Sequence, residues 1–343
     1  MKVESVAVAL PSRKVTNHDV LQEISSRSDE FSDNLPATLR LIERLLKGSG
    51  SDTRMWLGHN ESSLGLTVQA SKEAMDKLVD DNKIDLLIVA GVHSELVEPS
   101  TANLVAHELG LNTVECFDLK EACDGWMKAA KVAEALMNIG GYRRVMIVNQ
   151  EFSLTHSDTL AKLFKFSSRE QLEWRFPTLT IGEAATATIL VQDSNPWLHS
   201  NTTQNDLFDL CTITPPWYGA HPISSPRIAK DGPGLFTSYG AELRLYGLPF
   251  IVEEFQKFGI KAEDVDILFT HSSSKSDWAE AATQMGLGNK IYDIYASCGN
   301  VVSAAIPAAM ALALKDGSLR RGMRVLAAVA SAGMSFSLAY FRF

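Results

Sequence analysis

The sequence lacks most of the features that mark secreted, disulfide-linked or membrane-spanning proteins. Its 343 residues include four cysteines, and no two of them form a C-x-x-C pair. No basic segment followed by an apolar run opens the chain, so we expect no secretory signal and a reducing, cytoplasmic compartment with free thiols. The longest apolar stretch, residues 325–341, is interrupted by three serines and is too short and too polar for a membrane span.

Positive charge and cofactor motifs are scarce as well. Lys and Arg number 32 against 41 Asp and Glu, which gives a formal net charge of −9. Nucleic-acid binding needs a clustered basic surface, so we expect no nucleic-acid partner. The sequence has no H-E-x-x-H spacing, no G-x-S-x-G and no glycine fingerprint that follows a strand. We therefore expect neither a metal nor a bound cofactor.

The same α/β sequence pattern occurs twice along the chain. Strands are predicted at 3–11, 84–92, 113–119, 143–150 and 184–192, with helices at 63–78, 100–110 and 124–141. In the second half, strands are predicted at 208–214, 265–271, 290–297, 323–331 and 335–343, with helices at 243–259, 277–288 and 303–317. Apolar strands that alternate with helices indicate mostly parallel sheets covered on both faces. Two copies of one β-α-β-α-β-α-β-β unit predict two packed sheets, in domains 1–195 and 196–343.

Two segments fit neither copy of the unit. They cover about residues 25–60 and 152–180, and both are polar and contain aromatic residues. Insertions of this kind often form the walls and lids of substrate sites, although plain surface loops would have the same composition.

Three reactive side chains occupy related places in the two copies. Cys123 follows the third strand of the first copy, His271 ends the second strand of the second copy, and Asn300 follows the third strand there. Functional groups of open α/β sheets gather at the carboxyl ends of strands, so we expect all three in one cleft between the halves. Taken alone, His271 could simply bond a nearby carbonyl, and Asn300 could be a turn residue.

Cys123 differs from the other cysteines in its local context. It opens a helix, where unpaired N–H groups and the helix dipole favour a thiolate, so we predict a lowered thiol pKa and a nucleophile that forms a thioester. Cys116 and Cys211 lie inside apolar strands and are predicted to be core residues. Cys298 either packs in the core or lines the site.

Five motifs, in order along nearly the whole chain, resemble the ketoacyl synthase III branch of the thiolase superfamily. They are EPSTANLVAHELGL with CFDLKEACDGWMKAA (98–111 and 116–130), IGEAATATIL (181–190), HSSSKSDW (271–278), GNVVSAAIPAAMALALKDG (299–317) and ASAGMSFSLAYFRF (330–343). The resemblance implies a thiolase fold, which is a five-layer αβαβα sandwich of duplicated units, and a homodimer.

The resemblance also implies roles for the three residues. Cys123 would take an acyl group from acyl carrier protein or coenzyme A. His271 and Asn300 would donate hydrogen bonds to the carbonyl oxygen of a second thioester and stabilise its enolate. The backbone N–H groups of Cys123 and Gly333 would form the oxyanion hole for the acyl carbonyl.

The sequence departs from the family pattern near each motif. The departures are Glu121 and Asp124 in place of small residues around the nucleophile, Ser274 and Ser276 in place of an Asn and a basic residue, and Gly182-Glu183-Ala184 in place of Gly-Asp-Gly. Lys275 is the candidate to replace the missing basic residue in carrier docking. These changes favour a specialised pathway over the initiation of ordinary fatty-acid synthesis.

Glu98 is a further departure, since the corresponding residue is apolar in the fatty-acid enzymes. It lies on a loop that, in the family, reaches across the dimer into the partner's acyl pocket. Glu98-Pro99 resembles the branch that joins two acyl chains head to head without decarboxylation, including olefin and α-pyrone synthases. A carboxylate removed from water becomes a stronger base and could take an α-proton. The alternative is a glutamate at the rim, held in an ion pair.

The sequence thus predicts a homodimeric thiolase-fold enzyme that forms a carbon–carbon bond between two acyl thioesters. One alternative is an acyltransferase of the same fold that passes the acyl group to a hydroxyl or an amine. Another is a catalytically silent partner subunit, against which the intact Cys123, His271 and Asn300 argue.

Overall fold

Two five-stranded sheets and the helices that cover them make up the fold. The computed structural model describes residues 1–78, 83–154, 157–217, 219 and 225–343, with the backbone alone at 157 and 158. The strands are β1 (Lys2–Ala9), β2 (Arg13–Thr16), β3 (Thr53–Trp56), β4 (Leu86–Gly91), β5 (Glu115–Lys120), β6 (Arg144–Glu151), β7 (Ala184–Val191), β8 (Leu198–Thr203), β9 (Cys211–Ile213), β10 (Phe236–Ser238), β11 (Ile267–Thr270), β12 (Ile291–Tyr292), β13 (Arg324–Ser331) and β14 (Ser335–Arg342). The helices are α1 (Asn17–Arg27), α2 (Leu35–Ser49), α3 (Ser63–Met75), α4 (Thr101–Glu108), α5 (Gly125–Asn138), α6 (Ser157–Leu163), α7 (Leu172–Arg175), α8 (Gly240–Phe258), α9 (Lys275–Gln284), α10 (Tyr295–Cys298) and α11 (Ala305–Asp316).

Both sheets have the same topology. The strand orders are β1-β7-β6-β4-β5 and β12-β11-β13-β14-β8. In the first sheet β4 is parallel to β5 and β6, and β7 is antiparallel to β6 and β1. In the second, β11 is parallel to β12 and β13, and β14 is antiparallel to β13 and β8. The predicted duplication is confirmed. The prediction of mostly parallel sheets is wrong, because the last strand of each copy pairs antiparallel with both of its neighbours, so each sheet has as many antiparallel as parallel pairs.

The layers follow from the apolar faces of the helices. Alanine-rich α5 and α11 lie between the sheets in one shared core, where their small side chains allow close packing. Helices α3 and α4 cover the outer face of the first sheet, and α8 and α9 cover that of the second. The five-layer αβαβα sandwich is therefore confirmed.

Two of the predicted strands of the second copy are wrong. The first strand of the second sheet is β8, whose polar sequence LHSNTT lies at the edge of the sheet, half-exposed beside β14. Residues 208–214, predicted for that place, end a 3-10 turn and form β9, which pairs with β10 in a separate ribbon. The predicted strand 290–297 shrinks to the two residues of β12, because Tyr295–Cys298 turn into α10.

The two insertions fold together. The first contains α1, with a Thr16–Asp19 capping box, and α2, which begins after Asn34 and ends at the left-handed Gly50. Together with β2 and β3 it packs against the described part of the second insertion in one apolar cluster, which we call the insertion cluster. Its buried members are Val15, Val20, Ile24, Ile42, Leu46, Trp56, Leu154, Leu163, Phe164, Phe166, Leu179, Ile181, Leu235 and Val302. The insertions are therefore more than plain surface loops; residues 155–156 of the second lie outside the described part.

The first sheet uses strands within residues 2–191 and the second uses strands within 198–342. The division into domains at residues 195 and 196 stays a prediction. Within the described ranges, none of the helices has the length and hydropathy needed to cross a membrane.

Candidate active site

Cys123 lies in the turn between β5 and α5, one residue before Asp124, which precedes the first helical residue. It is half-buried and packs both against the shared core and against the insertion cluster. Its own N–H and that of Ala332 lie near its sulfur, where they favour the thiolate form. Ala332 belongs to the turn between β13 and β14, so this turn supplies a donor to the cysteine. Gly333, the predicted oxyanion donor, is the next residue of this turn, and its role stays a prediction.

The electrostatic environment of Cys123 differs from the prediction. Burial raises the pKa of its thiol well above the ordinary value, and the nearby Cys211 and Glu151 raise it further. The two backbone N–H groups lower the pKa but do not offset the loss of solvent. The prediction of a lowered pKa at the helix N-terminus is therefore wrong, and Cys123 is a protonated thiol at neutral pH.

His271 and Asn300 are in direct contact. His271 follows β11 and is held by a bond from its N–H to the Ala328 carbonyl, 3.0 Å. Its Nε2 lies 3.2 Å from Asn300 Oδ1, and its Nδ1 lies 3.0 Å from the carbonyl oxygen of Ala330. Asn300 Oδ1 also accepts from the N–H of Val302, 3.0 Å. That bond fixes the amide orientation and leaves Nδ2 as the group that Asn300 can donate to a ligand.

The imidazole of His271 is neutral. Burial lowers the pKa of His271 to about 4, although the contacts to Asn300 and Ala330 favour the charged form. A neutral imidazole has one N–H, and here each ring nitrogen faces an oxygen. One nitrogen therefore always presents a lone pair, so the ring can accept a proton as well as donate one.

Backbone pairing positions Asn300 from the other side. Its N–H donates to the Thr180 carbonyl, 2.8 Å, and its carbonyl accepts from the Gly182 N–H, 3.0 Å. A Cβ on Gly182 would overlap the carbonyl oxygen of Cys298. Glycine is thus required there, because the segment after the second insertion must lie directly against the Asn300 turn.

One hairpin joins the three predicted residues. Ala330 contacts His271, the Ala332 N–H lies near the Cys123 sulfur, and Ser331 between them accepts from the Asp124 N–H, 3.2 Å. Both halves of the chain therefore contribute to one site, as the duplicated pattern predicts.

Glu151 is a group that the sequence analysis missed. It ends β6, is fully buried, and accepts from Ser303 Oγ and from the Val92 N–H, 3.2 Å. Its Oε2 has no hydrogen-bond partner among the described residues. Burial raises the pKa of Glu151, and this carboxyl is one of the groups that raise the pKa of Cys123. A carboxylate at the carboxyl end of a buried strand is the signal that could have found it.

The remaining cysteines fall into three environments. Cys298 is buried in the shared core. Cys211 lies beside Cys123, where burial raises the pKa of its thiol to about 11. Cys116 is half-exposed, and the prediction of a core cysteine is wrong there, because β5 is the edge strand of the first sheet.

Glu98 and Lys275 both lie on the surface of this single chain. Glu98 belongs to the loop after β4, next to Val97, which is 88% exposed. It forms no ion pair with any residue that the structure describes, which disfavours the rim ion pair within the chain. Lys275 begins α9, and its side chain lies against Gly50 at the end of α2.

Comparison with known proteins gives matches over the full length. Residues 255–343 match the family model described as 3-oxoacyl-[acyl-carrier-protein] synthase III C terminal. Beta-ketoacyl-[acyl-carrier-protein] synthase III of Neisseria gonorrhoeae is 25% identical over 330 residues, which is 95% of this chain and 93% of the relative.

Solved structures agree on the fold. The 3-oxoacyl-[acyl-carrier-protein] synthase III of Aquifex aeolicus matches with a TM-score of 0.77 and 21% identity, covering 100% of this chain and 99% of that one. OleA of Xanthomonas campestris matches with a TM-score of 0.81 and 19% identity, covering 99% and 96%.

The comparisons, together with the cysteine turn that meets a His–Asn pair, indicate an acyltransferase of the condensing type. The chain is similar to beta-ketoacyl-[acyl-carrier-protein] synthase III over most of its length, and it shares the fold of that synthase and of OleA.

Proposed function

We propose that this enzyme forms a carbon–carbon bond between an acyl group held on Cys123 and a second acyl thioester. The observation that carries the proposal is the meeting of the Cys123 sulfur, the Ala332 N–H and the His271–Asn300 pair at one hairpin.

In the first step the Cys123 sulfur attacks the carbonyl of an acyl thioester. The new S–C bond forms, the substrate C–S bond breaks, and the cysteine proton leaves with the departing thiol. Because the pKa of Cys123 is raised, its proton leaves during the attack rather than before it, and it passes to the departing sulfur. The N–H groups of Cys123 and Ala332 stabilise the oxyanion, and the predicted donor Gly333 is the next residue of the same turn.

In the second step the enolate of the second thioester attacks the acyl carbonyl on Cys123. This enolate forms when the second thioester loses either an α-proton to a base or carbon dioxide. The acyl–sulfur bond breaks, and the expelled sulfur takes up a proton from solvent to return the free thiol. Asn300 Nδ2 and the imidazole of His271 donate to the enolate oxygen, whose charge exists only once the carbanion forms.

The acyl chain is proposed to run along the insertion cluster. Cys123 packs directly against this cluster, whose buried members are apolar or aromatic. An apolar wall next to a nucleophile is what a fatty-acyl substrate requires. Both insertions build this wall, so they would set the chain length that the enzyme accepts and would fit a specialised pathway.

The source of the acyl group is proposed to be acyl carrier protein or coenzyme A. Lys275 is exposed beside the end of α2. The outer face of α2 carries Arg40, Arg44 and Lys47. These cations adjoin the segment that leads to β3, and they suit a partner that is acidic or phosphorylated.

A homodimer is proposed as the working unit. Strand β5 is an edge strand with unpaired backbone groups, and Phe117 and Leu119 are half-exposed on it. Edges of this kind are usually covered, and a second copy could pair with this one strand to strand. The Glu98 loop follows β4, the neighbour of β5, so it would reach toward the second copy. Glu98 would then act as the base for a non-decarboxylative, head-to-head condensation.

The test is a two-stage reaction. The protein is first acylated with a panel of acyl thioesters, excess substrate is removed, and a second thioester is added. We expect a 3-oxoacyl product or its decarboxylated ketone, identified by mass spectrometry with one carbonyl carbon labelled. His271→Ala should hold its acyl group and release no such product. Transfer of the label only to added alcohols or amines would favour the acyltransferase alternative and contradict the proposal.

A further inference from the structure

Asp124 is a buried carboxyl at a place where the resembled family has a small residue. Its side chain is fully buried, and Oδ2 accepts from Ser337 Oγ at 2.8 Å and from Ser335 Oγ at 3.4 Å. Its N–H donates to Ser331 Oγ at 3.2 Å. Oδ1 has no hydrogen-bond partner within the described residues. The residue directly after the nucleophile is thus joined to both strands of the β13–β14 hairpin.

Those contacts enclose the turn that carries the Ala332 N–H. Ser331 and Ser335 are opposite each other in the hairpin, and Ala332 lies in the turn between them. Ser337 is fixed in addition by Asn201 Nδ2 on β8, 2.6 Å away. Movement of the hairpin relative to Asp124 would therefore move the Ala332 donor relative to the Cys123 sulfur.

We propose that Asp124 is a positioning residue whose carboxylate, through its bonds from Ser337 and Ser335, holds the Ala332 N–H against the acyl carbonyl on Cys123. The proposal rests on the proposed function in one respect, that Cys123 carries the acyl group. It assigns no direct contact between Asp124 and the substrate.

The charge on Asp124 is costly for folding. Burial raises the pKa of Asp124 to about 6, and the charge of Glu121 adds to this shift. The hydrogen bonds from Ser337 and Ser335 lower the pKa, as does the Lys128 cation, 3.8 Å away. The pKa of Asp124 is higher in the folded protein than in the unfolded chain, so folding favours the neutral carboxyl. The stability that the neutral Asp124 contributes is therefore complete below about pH 4. It is lost as pH rises through about 6. A charged Asp124 therefore lowers the stability of the fold at neutral pH, so stability does not explain why a carboxylate occupies this position.

The first measurement compares two reactions of Cys123. Acyl transfer develops an oxyanion, whereas alkylation by iodoacetamide does not, so only acyl transfer needs the Ala332 donor. Asp124→Ala and Ser337→Ala should slow acylation by acyl-coenzyme A by about 10²-fold, with alkylation changed less than about threefold. Glu121→Gln is the control, since Glu121 lies two residues before Cys123 and its side chain bonds no hairpin residue among those described. Equal losses in both reactions, or no loss in acylation, would overturn the proposal.

The second measurement is the pH profile. Charge-assisted hydrogen bonds are the stronger ones, so acylation by the wild-type enzyme should rise through an inflection near pH 6. Asp124→Asn should lose that inflection and, at pH 7.5 but not at pH 4.5, should melt at a higher temperature than wild type. A merely structural Asp124 would give the opposite, an Asn variant that is less stable and keeps the inflection.

Hydrogen exchange separates this proposal from the proposed function. Asp124→Ala should speed amide exchange at residues 332–334 by about tenfold, and Glu121→Gln should not. If no thioester acylates the wild-type protein, the proposed function fails, but the exchange result still decides whether Asp124 holds the hairpin. Unchanged exchange in Asp124→Ala refutes the positioning role.

Discussion

At the scale of single residues, the sequence predicts where the reactive side chains lie along the chain but not the electrostatic environment of each. Cys123 and His271 follow strands β5 and β11, whose ends local patterns identify, whereas Asn300 follows α10, where the sequence predicts a strand. The pKa of Cys123 depends instead on Cys211 and Glu151, which come from distant segments and lie near the sulfur only in the fold. A local feature, the helix N-terminus, predicted the wrong direction because burial outweighs it. The hydrogen bonds of the Asp124 carboxylate likewise come from Ser335 and Ser337, more than two hundred residues further along the chain, so no local pattern predicts them.

In the proposed mechanism, His271 and Asn300 act on charge that forms in the second thioester. We therefore expect His271→Ala and Asn300→Ala to leave self-acylation largely intact and to lose condensation. Loss of one donor to a developing oxyanion typically costs about 3–4 kcal/mol of transition-state stabilisation, or roughly 10²–10³ in rate. Rapid-quench measurement of each half-reaction checks this division.

The control for these variants is Ser272→Ala, which removes a hydroxyl that bonds only the Val301 N–H, 3.2 Å. It should keep both half-reactions within about threefold of wild type. If His271→Ala also fails to acylate, the imidazole is the proton acceptor in the first step and the assignment of roles must change.

At the scale of elements, strands that are buried on both faces were the predictable ones. Strands β4, β6, β7 and β13 show nearly continuous buried apolar residues and appear where their sequence indicates. Strand β8 is not predicted, because a polar strand at the edge of a sheet has no such pattern. The more apolar segment 208–214 is predicted in its place. Periodicity alone cannot tell a short ribbon strand from a sheet strand.

The loop after β4 carries the prediction about Glu98. If condensation is non-decarboxylative, a base must remove an α-proton, and the exposed Glu98 of one subunit would serve Cys123 of the other. Glu98→Ala should acylate normally but form no product from simple acyl thioesters. Mixing Cys123→Ala with Glu98→Ala subunits should restore one intact site per heterodimer, with about half of wild-type activity if the sites are independent.

Differently tagged subunits, purified as heterodimers before assay, make that complementation interpretable. Glu95→Gln, on the same loop, tests whether any loss of charge there has the same effect. Absence of rescue in verified heterodimers would exclude the cross-subunit base. Full activity of Glu98→Ala with malonyl-type thioesters alone would show that decarboxylation supplies the carbanion.

At the scale of the whole molecule, the duplicated unit makes the fold predictable from sequence. The two insertions do not follow that unit, so the acyl substrate is not predictable in the same way. Two copies of one unit, each with the same strand order, leave few ways to pack the sheets, and the sequence pattern shows both copies. The insertion cluster unites residues from 15 to 302, so its shape follows from packing between segments that share no local pattern. Acyl-chain length is proposed to be set by this cluster, and the sequence alone predicts only the apolar character of its wall.

The central claim is that Cys123 alone carries the acyl group, and peptide mapping after reaction with an acyl thioester tests it most directly. Cys211 is the internal control because it lies beside Cys123 with a raised pKa but without the hairpin donor. The account predicts one acyl group per chain, hydroxylamine-sensitive, on the peptide that contains Cys123, with Cys123→Ala unlabelled and Cys211→Ala labelled as wild type. An acyl group on Cys211, Cys116 or Cys298, or full condensing activity of Cys123→Ala, would contradict it.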